Sequence, residues 1–433
     1  MTRFRRATND TFRSFRVRNF RLFFGGQLVS QVGNWLTLVA QTLLVLRLTD
    51  SGVALGLLAV AQFGPVLVLG PFAGLVADRS DKRRLLLLVQ ALAMAQSFVL
   101  AGLAFSGNPP VAAIYAVAFL GGLTIAFDNP ARRSFVVDLV PPDDIGNAVS
   151  LNSALMTGSR VVGPALAGLL ITTVGFGWCF LLDGVSYLAV LAGLWLMDPG
   201  QVRASPLAIR GRGQVREGLR YARSVPELWI PLVMMAVIGT LAFNFQTVLP
   251  LFVTRDLQGS TVTFTLLMSV VSAGSLVGAL ATARRRTIDI RVVSLAAIAF
   301  GLAMGCLTVA PNQPVAFAVG LVMGVCSISF MTASTAIVQM TARPAMRGRV
   351  LALQAMVFLG STPIGGPIVG GIADRFGARY SLGLGALATV GAGLYGLLTV
   401  RRRRARVLVA VAPAAMPDDP PSVLDPVLTP QAS

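Results

Sequence analysis

The chain has 433 residues, of which 55% are hydrophobic and only 12% charged, with a mean hydropathy of +0.74. This composition excludes an ordinary soluble globular domain and points to a polytopic membrane protein. The formal charge of +18 does not mark a nucleic-acid binder, because no stretch is polar enough to gather the arginines into a binding domain. The charge is read instead as a topology signal.

The first 21 residues carry Arg3, Arg5, Arg6, Arg13, Arg16, Arg18 and Arg21 without a signal-peptide cleavage pattern, and read as a cytoplasmic lead. A helix needs about 20 apolar residues to cross a hydrocarbon core about 30 Å thick. Twelve windows satisfy this: 22–46, 53–77, 85–106, 111–130, 147–172, 176–197, 229–253, 262–282, 291–310, 314–338, 348–373 and 380–400. The polar stretch 198–228 divides them into two bundles of six, 22–197 and 229–400. The proline-rich segment 401–433 reads as a disordered cytoplasmic tail. With an even count, both ends lie on one side of the bilayer. The termini and every second loop then hold 31 of the 36 Lys and Arg; Arg47, Arg255, Arg375 and Arg379 fall outside, and Arg160 lies within a helix. A wrong helix count would scramble that bias.

The halves repeat each other. A shift of 203 residues lays Pro141 on Pro344, Phe127 on Phe330, and Gly163-Pro164-x3-Gly168 on Gly366-Pro367-x3-Gly371. The expected fold is therefore an all-α membrane protein with two pseudosymmetric six-helix bundles, whose binding site lies between them near the midplane.

After the second window comes Gly74-Leu75-Val76-Ala77-Asp78-Arg79-Ser80-Asp81-Lys82-Arg83-Arg84. A Gly, an Asp four residues later, an Arg and a basic cluster resemble the loop between the second and third helices of major facilitator superfamily transporters. Asp81 stands where that family usually has a second Gly. Gly158, Gly163, Pro164 and Gly168 resemble the Gly-Pro signature that the family carries on the fifth helix of antiporters. With Arg18-Asn19-Phe20-Arg21-Leu22 ahead of the first helix, the chain resembles the bacterial exporter branch that contains the enterobactin exporter and macrolide-efflux-like proteins. The resemblance implies a cytoplasmic gate of Gly74, Asp78, Arg79, Arg83, Arg132 and Arg133, in which Asp78 caps a helix of the other half. The second-half counterpart is Gly278 to Arg286, where Thr282 replaces the Asp. Gly371-Ile372-Ala373-Asp374-Arg375-Phe376-Gly377 looks similar but falls on the opposite side of the membrane. Gly366, Pro367 and Gly371 repeat the fifth-helix pattern and read as a hinge or packing element.

Gln27, Gln31, Asn34 and Gln41 share one face of the first helix, and Asn244 and Gln246 occupy the equivalent region of the seventh. Amides at this depth either line a cavity or join helices. Arg160 and Asp183 lie at similar depths, so they can form a buried ion pair or touch substrate. Asp128 either pairs with Arg132 or Arg133 or exchanges protons. Cys179, Cys306 and Cys326 are isolated, with no disulfide or zinc spacing. No nucleotide-binding loop or nucleophile–base set suggests a primary pump or an enzyme. The expectation is a monomeric exporter of a small amphipathic compound in the cytoplasmic membrane, coupled to protons and needing no cofactor or metal. A lipid or lysolipid flippase of the same fold and an importer are the alternatives.

Overall fold

The computed structural model describes residues 11–203, 214–285 and 287–411. Twelve segments within them are long and apolar enough to span a membrane. The first bundle comprises α1 (Arg18–Thr49), α2 (Gly52–Arg79), α3 (Lys82–Phe105), α4 (Val111–Asp138), α5 (Ile145–Thr173) and α6 (Phe176–Trp195). A linker helix α7 (Gln214–Ser224) leads to a seventh span made of two helices, α8 (Pro226–Leu241) and α9 (Phe245–Leu251). The second bundle is completed by α10 (Thr261–Ala283), α11 (Ile290–Thr308), α12 (Gln313–Thr341), α13 (Pro344–Phe376) and α14 (Ala378–Val411). The side of the membrane bearing α7 is called the linker face below, and the other the far face.

Short polar side chains start many of these helices by taking N–H groups that the first turn leaves unpaired. Ser51 accepts from the Ala54 N–H, Asp81 from Arg84, Asp289 from Val292 and Asn312 from Val315. Gly175 and Gly377 take φ of 94° and 100° at the tight turns before α6 and α14. These equivalent positions in the two bundles need a backbone that L side chains rarely adopt.

Within the first bundle, α1 packs on α5 and α6, α2 on α4, and α3 on α6. In the second, α8 packs on α13, α10 on α12, and α11 on α14. Between helices surrounded by lipid, close van der Waals packing of small residues replaces the hydrophobic drive of water-soluble cores. The bundles meet along two seams, α2 against α13 and α5 against α10. The first seam is lined with glycines: a Cβ on Gly56 would lie 2.6 Å from the Gly366 carbonyl, and one on Gly52 would press on the Gly370 carbonyl. It runs from the far face down to Gly360, which leaves space only for the end of Leu67. On the second seam, Gly168 leaves room for Thr265.

Two expectations are corrected. The seventh window is interrupted at Ala242–Asn244, because the Asn244 side-chain amide donates to the Thr240 and Gly239 carbonyls (2.7 and 3.4 Å) and takes over part of the helix ladder. The last helix also runs on to Val411, through arginines placed in the tail; arginine is a good helix former and needs no hydrocarbon around it. The remainder of the tail, 412–433, lies outside the described residues.

Candidate functional site

The amides of α1 turn into their own bundle. The Gln31 amide donates to Gln27 (3.2 Å), and Gln41 accepts from Gln62 of α2 (2.8 Å). Asn34 accepts from the Tyr187 hydroxyl of α6 (2.8 Å). Gln27, Gln31 and Gln41 are buried. Gln41 and Asn34 thus bond to other helices, whereas the Gln27–Gln31 bond stays within α1. Asn244 is likewise buried and serves the break in its own span, leaving Gln246 half-buried beside it.

Arg160 and Asp183 do not pair. Asp183 is 1% exposed, and its Oδ2 accepts from Thr37 of α1 (2.6 Å) and Ser97 of α3 (2.7 Å). The Arg160 guanidinium lies over the Trp35 ring, 5.7 Å from its centroid. Matching depth was necessary for a pair but not sufficient, because the two side chains leave their helices in different directions. Asp128 is held by Arg132 one turn on and by the Gln90 amide (2.7 Å). Of the proposed gate cations, Arg132 is therefore committed within the first bundle. So is Arg83, which donates to the Leu194 and Trp195 carbonyls (2.7 and 3.0 Å). Gly74 and Asp78 are half-buried on the linker side of α2, while Arg79 and Arg133 are exposed.

The face of α5 explains Arg160. A helix turns about 100° per residue. Arg160 falls between the edge where Gly163 meets Trp35 and the edge where Gly168 meets Thr265 of the other bundle. Val162 and Leu169, 55% and 57% exposed, occupy the opposite, lipid-facing side. Arg160 therefore points between the bundles, about 22 Å along α5 from its start at Ile145. Ser153 and Thr157 share this side, and their hydroxyls are accessible. On the linker side of the Gly168 contact, Ser153, Gly158 and Arg160 of α5 are exposed rather than packed on the other bundle, and the space this side faces is called the vestibule below. Gly158 and Gly371 make no close contacts comparable with those of Gly163, Gly168 and Gly366.

In the second bundle, the break beside Asn244 places Phe243 and Phe245 at comparable depth. Phe243 packs edge-on to Phe358 (centroids 5.4 Å apart) and tilted on Phe300 (5.2 Å). Sequence reading missed Trp35 and these phenylalanines, which resemble any apolar residues of a spanning helix; only the aromatic pair flanking an asparagine hinted at them. An apolar groove lined by Val233, Val237, Ala388, Gly391 and Tyr395 lies away from these polar groups.

The far face is tied shut between the bundles. Asp374, at the end of α13, accepts the Gly52 and Val53 N–H groups at the start of α2 (2.7 and 2.9 Å) and the Ser51 hydroxyl (2.7 Å). Arg255 bonds Asp374 (3.1 Å) and also the Asp50 backbone carbonyl. The Gly371–Gly377 string, set aside as a look-alike, thus carries a contact between the bundles.

Two six-helix bundles that meet along two seams and are tied together on one face define a membrane transporter of the major facilitator class. Residues 9–422 match the model of the transmembrane secretion effectors, and the chain belongs to that family. It is 24% identical to the staphyloferrin A transporter of Staphylococcus aureus, over 86% of this chain and 93% of that one. It is 28% identical to the multidrug efflux pump Tap of Mycolicibacterium fortuitum, over 81% and 88%. It is 23% identical to macrolide efflux protein A of Streptococcus pyogenes, over 83% and 91%. A bacterial homologue of the human lysosomal transporter Spinster, solved inward-facing and occupied, superposes with a TM-score of 0.67 at 17% identity, covering 90% of this chain and 97% of that one. A POT family transporter superposes at 0.74 with 10% identity, covering 89% and 96%. At these identities the two structures bear on the fold alone.

Proposed function

We propose that the protein exports small amphipathic compounds across the cytoplasmic membrane by alternating access, driven by proton countertransport. The linker face is assigned to the cytoplasm, with both termini on that side, by the arginine bias of its loops. The observation that carries this reading is an exposed inward side of α5 bearing Arg160 over Trp35, combined with a far face tied shut between the bundles. A cation stacked on an indole beside exposed hydroxyls suits a ligand with an apolar body and a polar end. The outward direction is supported by relatives named for efflux of macrolides and drugs.

For coupling, Asp183 is a better candidate than Asp128. Asp128 already has a cation, so binding a proton there would strand the buried Arg132. The hydroxyls of Thr37 and Ser97 that hold Asp183 are uncharged, so a proton taken up there strands no cation. Everted membrane vesicles supplied from outside with a panel of dyes, antibiotics and siderophores test the reading. Inward accumulation that requires an imposed pH gradient is expected. Movement in the opposite sense, or of fluorescent lipid alone, supports the importer or the flippase instead.

A further inference from the structure

We infer that the vestibule recognises the acidic group of its substrate at Arg160. This rests on the export reading and narrows it to amphiphiles that carry a carboxylate or phosphoryl group. A charged guanidinium at membrane depth needs water, a counter-ion or a ligand. Arg160 has no carboxylate within ion-pairing distance among the described residues, and its exposed side chain points between the bundles. Asp183 is sealed behind Thr37 and Ser97, and Asp128 is taken by Arg132. The contact with the Trp35 ring, 5.7 Å from the guanidinium carbon to the centroid, uses none of the N–H donors in hydrogen bonds. A planar five-donor fork of this kind matches an acidic oxygen pair.

The test is flux through proteoliposomes containing the full chain. The probes are 5(6)-carboxyfluorescein and rhodamine 123, two xanthenes of similar size and opposite charge, and a fluorescent lysophosphatidic acid. The native protein should move the acidic probes at least about tenfold faster than rhodamine 123, the ratio expected for one hydrogen bond to a charged group. Arg160→Gln should erase that preference and Arg160→Lys should keep part of it. Faster flux of the lysolipid than of carboxyfluorescein assigns the acid to a lipid headgroup, and the reverse to a soluble amphiphile. A preference for rhodamine 123, or an acid preference unchanged in Arg160→Gln, overturns the assignment and leaves export standing. No flux of any compound overturns both.

A separate observation carries a second proposal: the geometry assigns Asp374 and Arg255 as a latch that holds the far face closed. Gly370, Asp374 and Arg375 repeat the spacing of Gly74, Asp78 and Arg79, but at the end of α13, which runs antiparallel to α2. Asp374 therefore meets the N-terminus of α2, where the unpaired N–H groups and the helix dipole favour a negative charge. The contact crosses from one bundle to the other. It can hold only while the far ends of α2 and α13 touch, so it biases the protein toward the vestibule-open state.

Spin labels at Asn108→Cys and Pro311→Cys, exposed loops of the two bundles on the far face, read that gap when Cys179, Cys306 and Cys326 are replaced. Asp374→Asn and Arg255→Gln should each shift the distance distribution toward the wider state by at least about tenfold in population. The exposed neighbour change Arg375→Gln should leave it alone. Gly56→Leu serves as a wedge, because its side chain would strike the Gly366 carbonyl. Widening with the wedge but not with Asp374→Asn or Arg255→Gln overturns the latch and leaves alternating access intact. A fixed distance in all three variants overturns both.

Discussion

Asp128 and Asp183 are both carboxylates at membrane depth in the first bundle, and what faces each one separates their roles. Asp128 and Arg132 are 5% and 9% exposed and hold each other. Removing one member of such a pair leaves an uncompensated buried charge, so Asp128→Asn should destabilise the fold by about 3–5 kcal/mol. Adding Arg132→Gln should restore much of that loss, and thermal unfolding of the single and double variants in detergent measures it. Asp183→Asn keeps the shape and the hydroxyl neighbours, so the fold should survive. Transport should lose its dependence on the pH gradient while substrate exchange without a gradient persists; gradient-driven flux at the native rate in that variant would remove Asp183 from the coupling step. The presence and depth of these charges were legible in the sequence. Their partners were not, because pairing depends on the direction in which each helix presents its side chains, and one residue along a helix changes that by about 100°.

The seventh span shows what hydropathy can and cannot read at the scale of an element. The window 229–253 was apolar enough to find the span, yet the chain breaks at Ala242–Asn244 before resuming at Phe245. A buried asparagine whose amide replaces backbone donors permits that break, and it turns Phe243 and Phe245 toward Phe300 and Phe358. Asn244→Leu removes the donor to the Thr240 carbonyl. An acceptor left unsatisfied in a buried site costs about 1–3 kcal/mol. Asn244→Leu should therefore lower the thermal midpoint and weaken binding of an amphipathic ligand together, whereas Gln246→Leu on the next turn should leave the midpoint nearly unchanged. Gly163 was legible for its size, and the reason appears only in three dimensions: its missing Cβ is what admits Trp35, the platform beneath Arg160.

At the scale of the whole molecule, the duplication seen in the sequence and the two bundles of the fold have the same physical source. Each bundle buries its amides and ion pairs internally, through Gln41–Gln62, Asp128–Arg132 and Asp183–Thr37 in the first, and meets the other along seams rich in glycine. Two bodies whose main polar contacts are internal and whose seams are close and rich in glycine can rock against each other with few hydrogen bonds to break. The arginines fix which way the pair stands. With 31 of 36 Lys and Arg at the termini and alternate loops, the positive-inside bias supports the proposal that the linker face is the cytoplasmic one. In the cysteine-free background, a cysteine replacing Arg84 or Arg223 should react with a membrane-impermeant maleimide only after the cells are opened. Asn108→Cys and Pro311→Cys should react in intact cells. Reversal of this pattern would place the vestibule toward the outside in the conformation described here, and the same groove would then load from the medium rather than from the cytoplasm.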